Sequence, residues 1–116
     1  MRPDDDSLLV DMLVAAREAN ALCGDLTLEE FLLDRLLQLA LQKLVENIGE
    51  AASRLSPQAR TKLPDLPWKD MVGMRNRLVH DYMHVDLSKV WHVVEEDLQP
   101  LITAIEPLVP PDQPAE

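Results

Sequence analysis

Apolar residues recur at intervals of three and four along much of this chain. The clearest series is Leu87, Val90, Trp91, Val94, Leu98, Leu101, Ile102 and Ile105. A half-buried strand alternates with period two, so this spacing commits the segment to a helix with one buried stripe. Leu9, Met12, Leu13 and Ala16 repeat the pattern near the start. Composition points the same way. Of 116 residues, 47 % are apolar, which allows one domain with a real core. Only three are glycine, and four are Phe, Trp or Tyr. The apolar content is mostly Leu, Val, Ala, Ile and Met, and apart from the β-branched ones these lose little rotamer freedom in a helix. The expectation is an all-α chain, folded as an antiparallel bundle of four or five helices.

Local signals place the elements. Asp4 to Asp6 are N-cap candidates for a first helix, and Gly24 marks its stop. Thr27 and Glu30 form a capping box that opens a second helix running to about Leu55. That stretch carries Leu32, Leu33, Leu36, Leu37, Leu39 and Leu41, too many for a narrow stripe. Such a helix is central in a bundle or also meets another subunit. Gly49, Ala51 and Ala52 form a small-residue patch that admits a close neighbour. Ser56 and Pro57 start a short helix, Pro67 opens another through Tyr82, and Asp86 caps the last, which Pro100 kinks or divides. Residues 1–107 are read as the domain and 108–116 as a flexible tail.

The net charge of −10 argues against broad electrostatic binding of nucleic acid. The charge is uneven, however. Residues 60–92 hold six Lys or Arg against four carboxylates, while the rest holds five against seventeen. One cysteine, Cys23, rules out an internal disulfide and suits a reducing cytoplasm. The acidic start is unlike a secretory signal, and no apolar run approaches the ~20 residues that cross a bilayer.

The segment with the favourable balance contains RNRLVHDY, residues 75–82. On a helix, Asn76 and His80 share a face, and Arg75 lies about 100° round from Asn76. Arginine offers a permanent fork of donors for phosphate oxygens. Histidine exchanges protons near neutral pH, and asparagine can orient either group. Together they have the chemistry to cleave a phosphodiester without a metal: an imidazole acting on the 2′-OH or the leaving oxygen, a guanidinium on the charge of the transition state. The same spacing also fits solvated helix charges and a histidine favoured by a helix C-terminus.

The ordered series FLLDRL, IGEAA, LPWKD, GMRNRLVHDY and VDLSKVW resembles the HepT-like branch of the HEPN superfamily over roughly residues 5–106. Its Arg-x4-His-x-Tyr motif falls on Arg75, His80 and Tyr82, and Asn76 matches the polar residue after the arginine. The resemblance implies an all-α homodimer whose two motifs share a cleft. It implies a toxin, a metal-independent endoribonuclease needing no cofactor, with Arg75, Asn76 and His80 as catalytic residues. It implies a minimal nucleotidyltransferase antitoxin that transfers AMP to Tyr82. The alternative is a non-catalytic helical module that only pairs with a nucleotidyltransferase.

Other residues carry two readings. His84 is a second proton-transfer group or a tolerated loop residue, and His92 is read as structural. Asp81 is read as a surface carboxylate rather than a partner for His80. Glu46 and Glu50 either hold Arg75 from a facing helix or form an exposed acidic face. Trp68 and Trp91 are read as core or interface anchors, Cys23 as a small apolar residue, and Glu95 to Asp97 as a solvated face. The histidines do not repeat at metal-ligand spacing.

Overall fold

A computed structural model describes residues 2–109, apart from the side chain of Tyr82. Every regular element among them is helical: α1 (Pro3–Cys23), α2 (Leu28–Leu32), α3 (Arg35–Arg54), α4 (Pro57–Thr61), α5 (Trp68–His80), α6 (Leu87–His92) and α7 (Leu98–Ile105). The all-α expectation agrees with this. Helix α3 is central, with α1 on one side and α5 on the other, and α7 packs back onto α1. Leu9, Met12, Phe31, Leu41, Leu98 and Ile105 are fully buried where these helices meet. Each such side chain stabilises the fold by about 1.5–3 kcal/mol before entropy is counted. Trp91 anchors the far end, its ring centroid 5.0 Å from that of Phe31. No helix among the described residues is long and apolar enough to cross a membrane.

The start of α1 differs from the expected capping by Asp4 to Asp6. Pro3 occupies the first helical position and Arg2 the N-cap, so the three aspartates sit in the first turn. Asp5 is turned inward and fully buried. Its carboxylate accepts the Arg2 N–H at 2.9 Å, the Ser56 N–H at 3.0 Å and the Ser56 hydroxyl. The Ser56 oxygen in turn accepts the Ala59 N–H at 3.1 Å, capping α4. One buried carboxylate thus joins the beginnings of two helices 51 positions apart. These donors, the Ser56 hydroxyl foremost, hold the Asp5 carboxyl below its ordinary range.

The second expected helix is in fact two. The chain leaves the helix at Leu33 and Asp34, and Asp34 accepts the Leu37 N–H at 3.0 Å as a fresh N-cap. Buried Gln38 donates to the carbonyls of Phe31 and Leu32, each at 3.1 Å, satisfying the end of α2. The break divides the leucines between a buried set and a corner: Leu33 and Leu36 are 88 % and 81 % exposed.

In the last helical stretch the ladder widens at Val93–Asp97, where Leu98 N–H reaches back to Val93 O. Pro100 lacks an N–H, and its ring presses on the carbonyl four residues earlier. A widened turn just ahead relieves that conflict. Leu108 and Val109 are half-buried against the core. The rest of the expected tail, from Pro110 on, lies outside the described residues.

Asp5 ties the stability of the fold to pH in the acid range. Its folded-state pKa is depressed, so its stabilisation is present above the unfolded carboxylate value of about 3.9 and is lost as pH falls through the folded value. Urea unfolding across pH is expected to show Asp5→Asn less stable at pH 7, with a shallower loss below pH 4. Ser56→Ala is expected to lower stability at pH 7 by about 1–2 kcal/mol.

Candidate functional site

The last two turns of α5 carry Arg75, Asn76, Arg77 and His80. Buried Met74 and Leu78 turn one face of the helix to the core. Arg75 flanks that face on the α3 side. There Gly49 of α3 makes the contact possible: a Cβ at this position would sit 2.5 Å from Arg75 Cβ and 2.7 Å from the Met71 carbonyl oxygen. The two helices therefore approach closely, and the Arg75 guanidinium emerges beside Glu50.

Arg75 Nη2 lies 2.8 Å from Glu50 Oε1, and Nη1 donates to Asn76 Oδ1 at 3.0 Å. The Nε is buried and has no acceptor among the described residues. The Arg75 side chain is 28 % exposed, so the fork is held in place at the edge of solvent. Glu50 is the carboxylate that takes the facing-helix role. Glu46 instead meets Lys43 at 3.4 Å.

His80 is the final residue of α5 and is exposed. Five positions place it about 140° round the helix from Arg75, with Asn76 between them. Within one chain the structure joins Arg75 to Asn76, but no hydrogen bond among the described residues joins His80 to either. The three groups form an open face rather than a closed cleft. The backbone leaves the helix at Asp81 (φ −135°, ψ 40°) and makes a 3₁₀ turn over Tyr82–His84. Tyr82 therefore begins the turn that follows the helix; its side chain lies outside what is described. Asp81 is 3.0 Å from Nδ1 of His84, both well exposed. Asp81 thus faces His84 and not His80.

The other flank of α5 holds residues to which the sequence analysis gave no site role. Arg77, about 200° from Arg75, lines a groove together with Lys89, His92 and Asp97. Asp97 is half-buried and not part of a solvated face. Burial pushes its carboxyl up, opposed by His92 and reinforced by Asp70 and Glu96. The signal available in the sequence was the position of Arg77 and Lys89 in the one segment with surplus cations. Trp68 serves as an anchor: its Nε1 donates to Leu63 O at 2.9 Å, and Arg60 stacks 5.5 Å from the ring centroid. Cys23 is buried at the end of α1, and its thiol is pushed up by that burial.

Residues 12–108 match the family model described as ribonuclease HepT-like. The chain belongs to this HepT-like family. It is 33 % identical over 103 residues to a Methanocaldococcus jannaschii protein named as a candidate RNase, covering 89 % of this chain and 94 % of that one. It is 31 % identical over 108 residues to a Thermococcus cleftensis protein named as a candidate ribonuclease HepT, covering 93 % and 98 %. No solved structure matches it. The match to the HepT-like model spans all of α3 and α5, the two helices that hold Arg75, Glu50 and His80.

Gly49→Ala tests the close approach. It is expected to destabilise the fold by about 1–3 kcal/mol through overpacking, read by thermal unfolding. Gly73 faces open space, with nothing within 4 Å of an added Cβ. Gly73→Ala is therefore expected to be neutral or slightly stabilising in the same assay.

Proposed function

We propose that this chain is a ribonuclease toxin that cuts RNA without a metal, using Arg75, Asn76 and His80. The observation that carries this reading is a guanidinium held by Glu50 and Asn76 on the same helix end as the exposed imidazole of His80, in a chain of the HepT-like family. The reaction is an in-line attack of a ribose 2′-OH on the adjacent phosphorus. A P–O2′ bond forms and the P–O5′ bond breaks. An imidazole takes the 2′-OH proton, and an imidazolium returns one to the departing O5′. Arg75 places fixed positive charge against the phosphorane oxygens, where negative charge accumulates. Asn76 holds the guanidinium plane through its Oδ1.

A base and an acid act in one turnover, and His80 is the imidazole that each chain offers at the end of α5. A homodimer that sets two α5 ends across a cleft supplies both and adds the wall that a single chain lacks. The exposed corner of Leu32, Leu33, Leu36 and Leu39 supports pairing of copies, since contiguous apolar surface commonly marks an interface. Silencing falls to a nucleotidyltransferase antitoxin that moves AMP onto Tyr82, two residues beyond His80. The added phosphate would repel the RNA backbone at the mouth of the cleft. The cell's reducing cytoplasm is the setting proposed for both partners. The net charge of −10 favours a second reading, a module that pairs with the nucleotidyltransferase and cuts nothing.

Expression of the chain alone distinguishes these. The nuclease arrests growth and leaves RNA with defined cut ends. His80→Ala and Arg75→Ala are each expected to lower cleavage by about 10²- to 10⁴-fold and relieve the arrest. A harmless wild-type chain with intact RNA points to the binding module. Co-expression with the nucleotidyltransferase is expected to add AMP-sized mass to the wild type and none to Tyr82→Phe.

A further inference from the structure

A groove of about 400 Å³ opens between α3, α5 and α6, on the flank of α5 away from Arg75. Its apolar lining includes Ile48, Met71, Met74 and Val93, while Arg77, Lys89 and His92 supply donors and Asp70 and Asp97 acceptors. The ion pairs among the described residues use none of these five polar side chains. A smaller hollow of about 130 Å³ shares Met74, Arg77 and Lys89. The two cations therefore stand between neighbouring depressions.

We propose that this groove holds one unstacked nucleobase of an RNA strand, with Arg77 and Lys89 on its phosphate and Asp70 and Asp97 on the donor edge of the base. This rests on the ribonuclease reading and names where that substrate is gripped. The size lies within the range of about 300–1,000 Å³ typical of small-molecule clefts. Methionine sulfur and aliphatic side chains suit the flat face of an aromatic ring. The Arg77 fork and the Lys89 charge suit phosphate oxygens. Single-stranded RNA is recognised chiefly by bases splayed out of the stack. Arg77 and His80 are three residues apart and so are neighbours on the surface of α5. A strand passing His80 meets Arg77 next, and beyond it the groove.

The carboxylates give the groove a preference. An ionised Asp accepts hydrogen bonds and donates none. Guanine presents two adjacent donors, N1–H and N2–H₂, that one carboxylate of Asp70 or Asp97 can accept from together; uracil presents a single donor, N3–H, between two carbonyl oxygens that a carboxylate repels. Guanosine monophosphate is therefore the favoured probe and uridine monophosphate the disfavoured one.

The test uses the full chain with His80→Ala, so that RNA stays intact, and follows the methyl resonances of Met71 and Met74 by NMR. Guanosine 5′-monophosphate is expected to shift both, with uridine 5′-monophosphate binding about tenfold more weakly. Lys89→Glu is expected to weaken guanosine monophosphate at least tenfold, and Arg77→Ala, at a second exposed position, to do so as well. A short RNA strand is expected to displace the mononucleotide. Methyl groups that stay still at millimolar nucleotide overturn the proposal. So does binding indifferent to Lys89→Glu and Arg77→Ala, equal binding of the uridine nucleotide, or a mononucleotide that RNA fails to displace. The ribonuclease reading fails separately, if the wild-type chain cuts no RNA, because the methyl shifts report the groove alone.

Discussion

Helix α5 lies against α3 at Gly49, and the missing side chain there governs both flanks of α5. On one flank it lets Arg75 sit close enough for its guanidinium to meet Glu50 at 2.8 Å. On the other, Gly49 lines the groove beside Met71 and Met74. Interiors are close-packed, and side chains cannot absorb the bulk of even one extra methyl group without shifting their neighbours. The geometry of the candidate catalytic face and of the groove therefore follows from one contact between two helices.

Electrostatics works at short range on this scaffold. An ion pair as exposed as Arg75 with Glu50 contributes little to stability. Its value is geometric: a long side chain with many rotamers is confined to one direction, with Asn76 holding its other nitrogen. The chain as a whole repels polyanions, so any hold on RNA must come from a few cations at the right place. In the proposed function those cations are Arg75, Arg77 and Lys89, on or next to the helix that also carries His80.

Much of the fold was legible because capping is local chemistry. Thr27 with Glu30, Ser56 with Pro57, and Asp86 before Leu87 cap helices where they were expected to, although the helix that Thr27 opens ends at Leu32. The break after Leu33 was hidden because an unbroken, proline-free apolar stretch reads as one helix. What ends α2 is Gln38 reaching back six and seven residues to its carbonyls, a contact that periodicity does not encode. Asp5 was read as an N-cap candidate, with nothing nearby in sequence to signal its burial, and aspartate is seldom buried. Its burial is tolerated because Ser56, far along the chain, supplies two donors. Asp97 was read as solvated from its acidic neighbours, but it ends the widened turn at Val93–Asp97 and is half-buried on the groove.

By itself, the sequence settled the all-helical architecture, most helix starts and the family, because periodicity, caps and a short motif are properties of neighbouring residues. Only the tertiary structure decided which carboxylate meets Arg75, that His80 stands apart from it within one chain, and that Arg77 and Lys89 share a groove. Those outcomes depend on how helices distant in sequence approach one another, and that distance is set by packing at positions such as Gly49 rather than by any local rule.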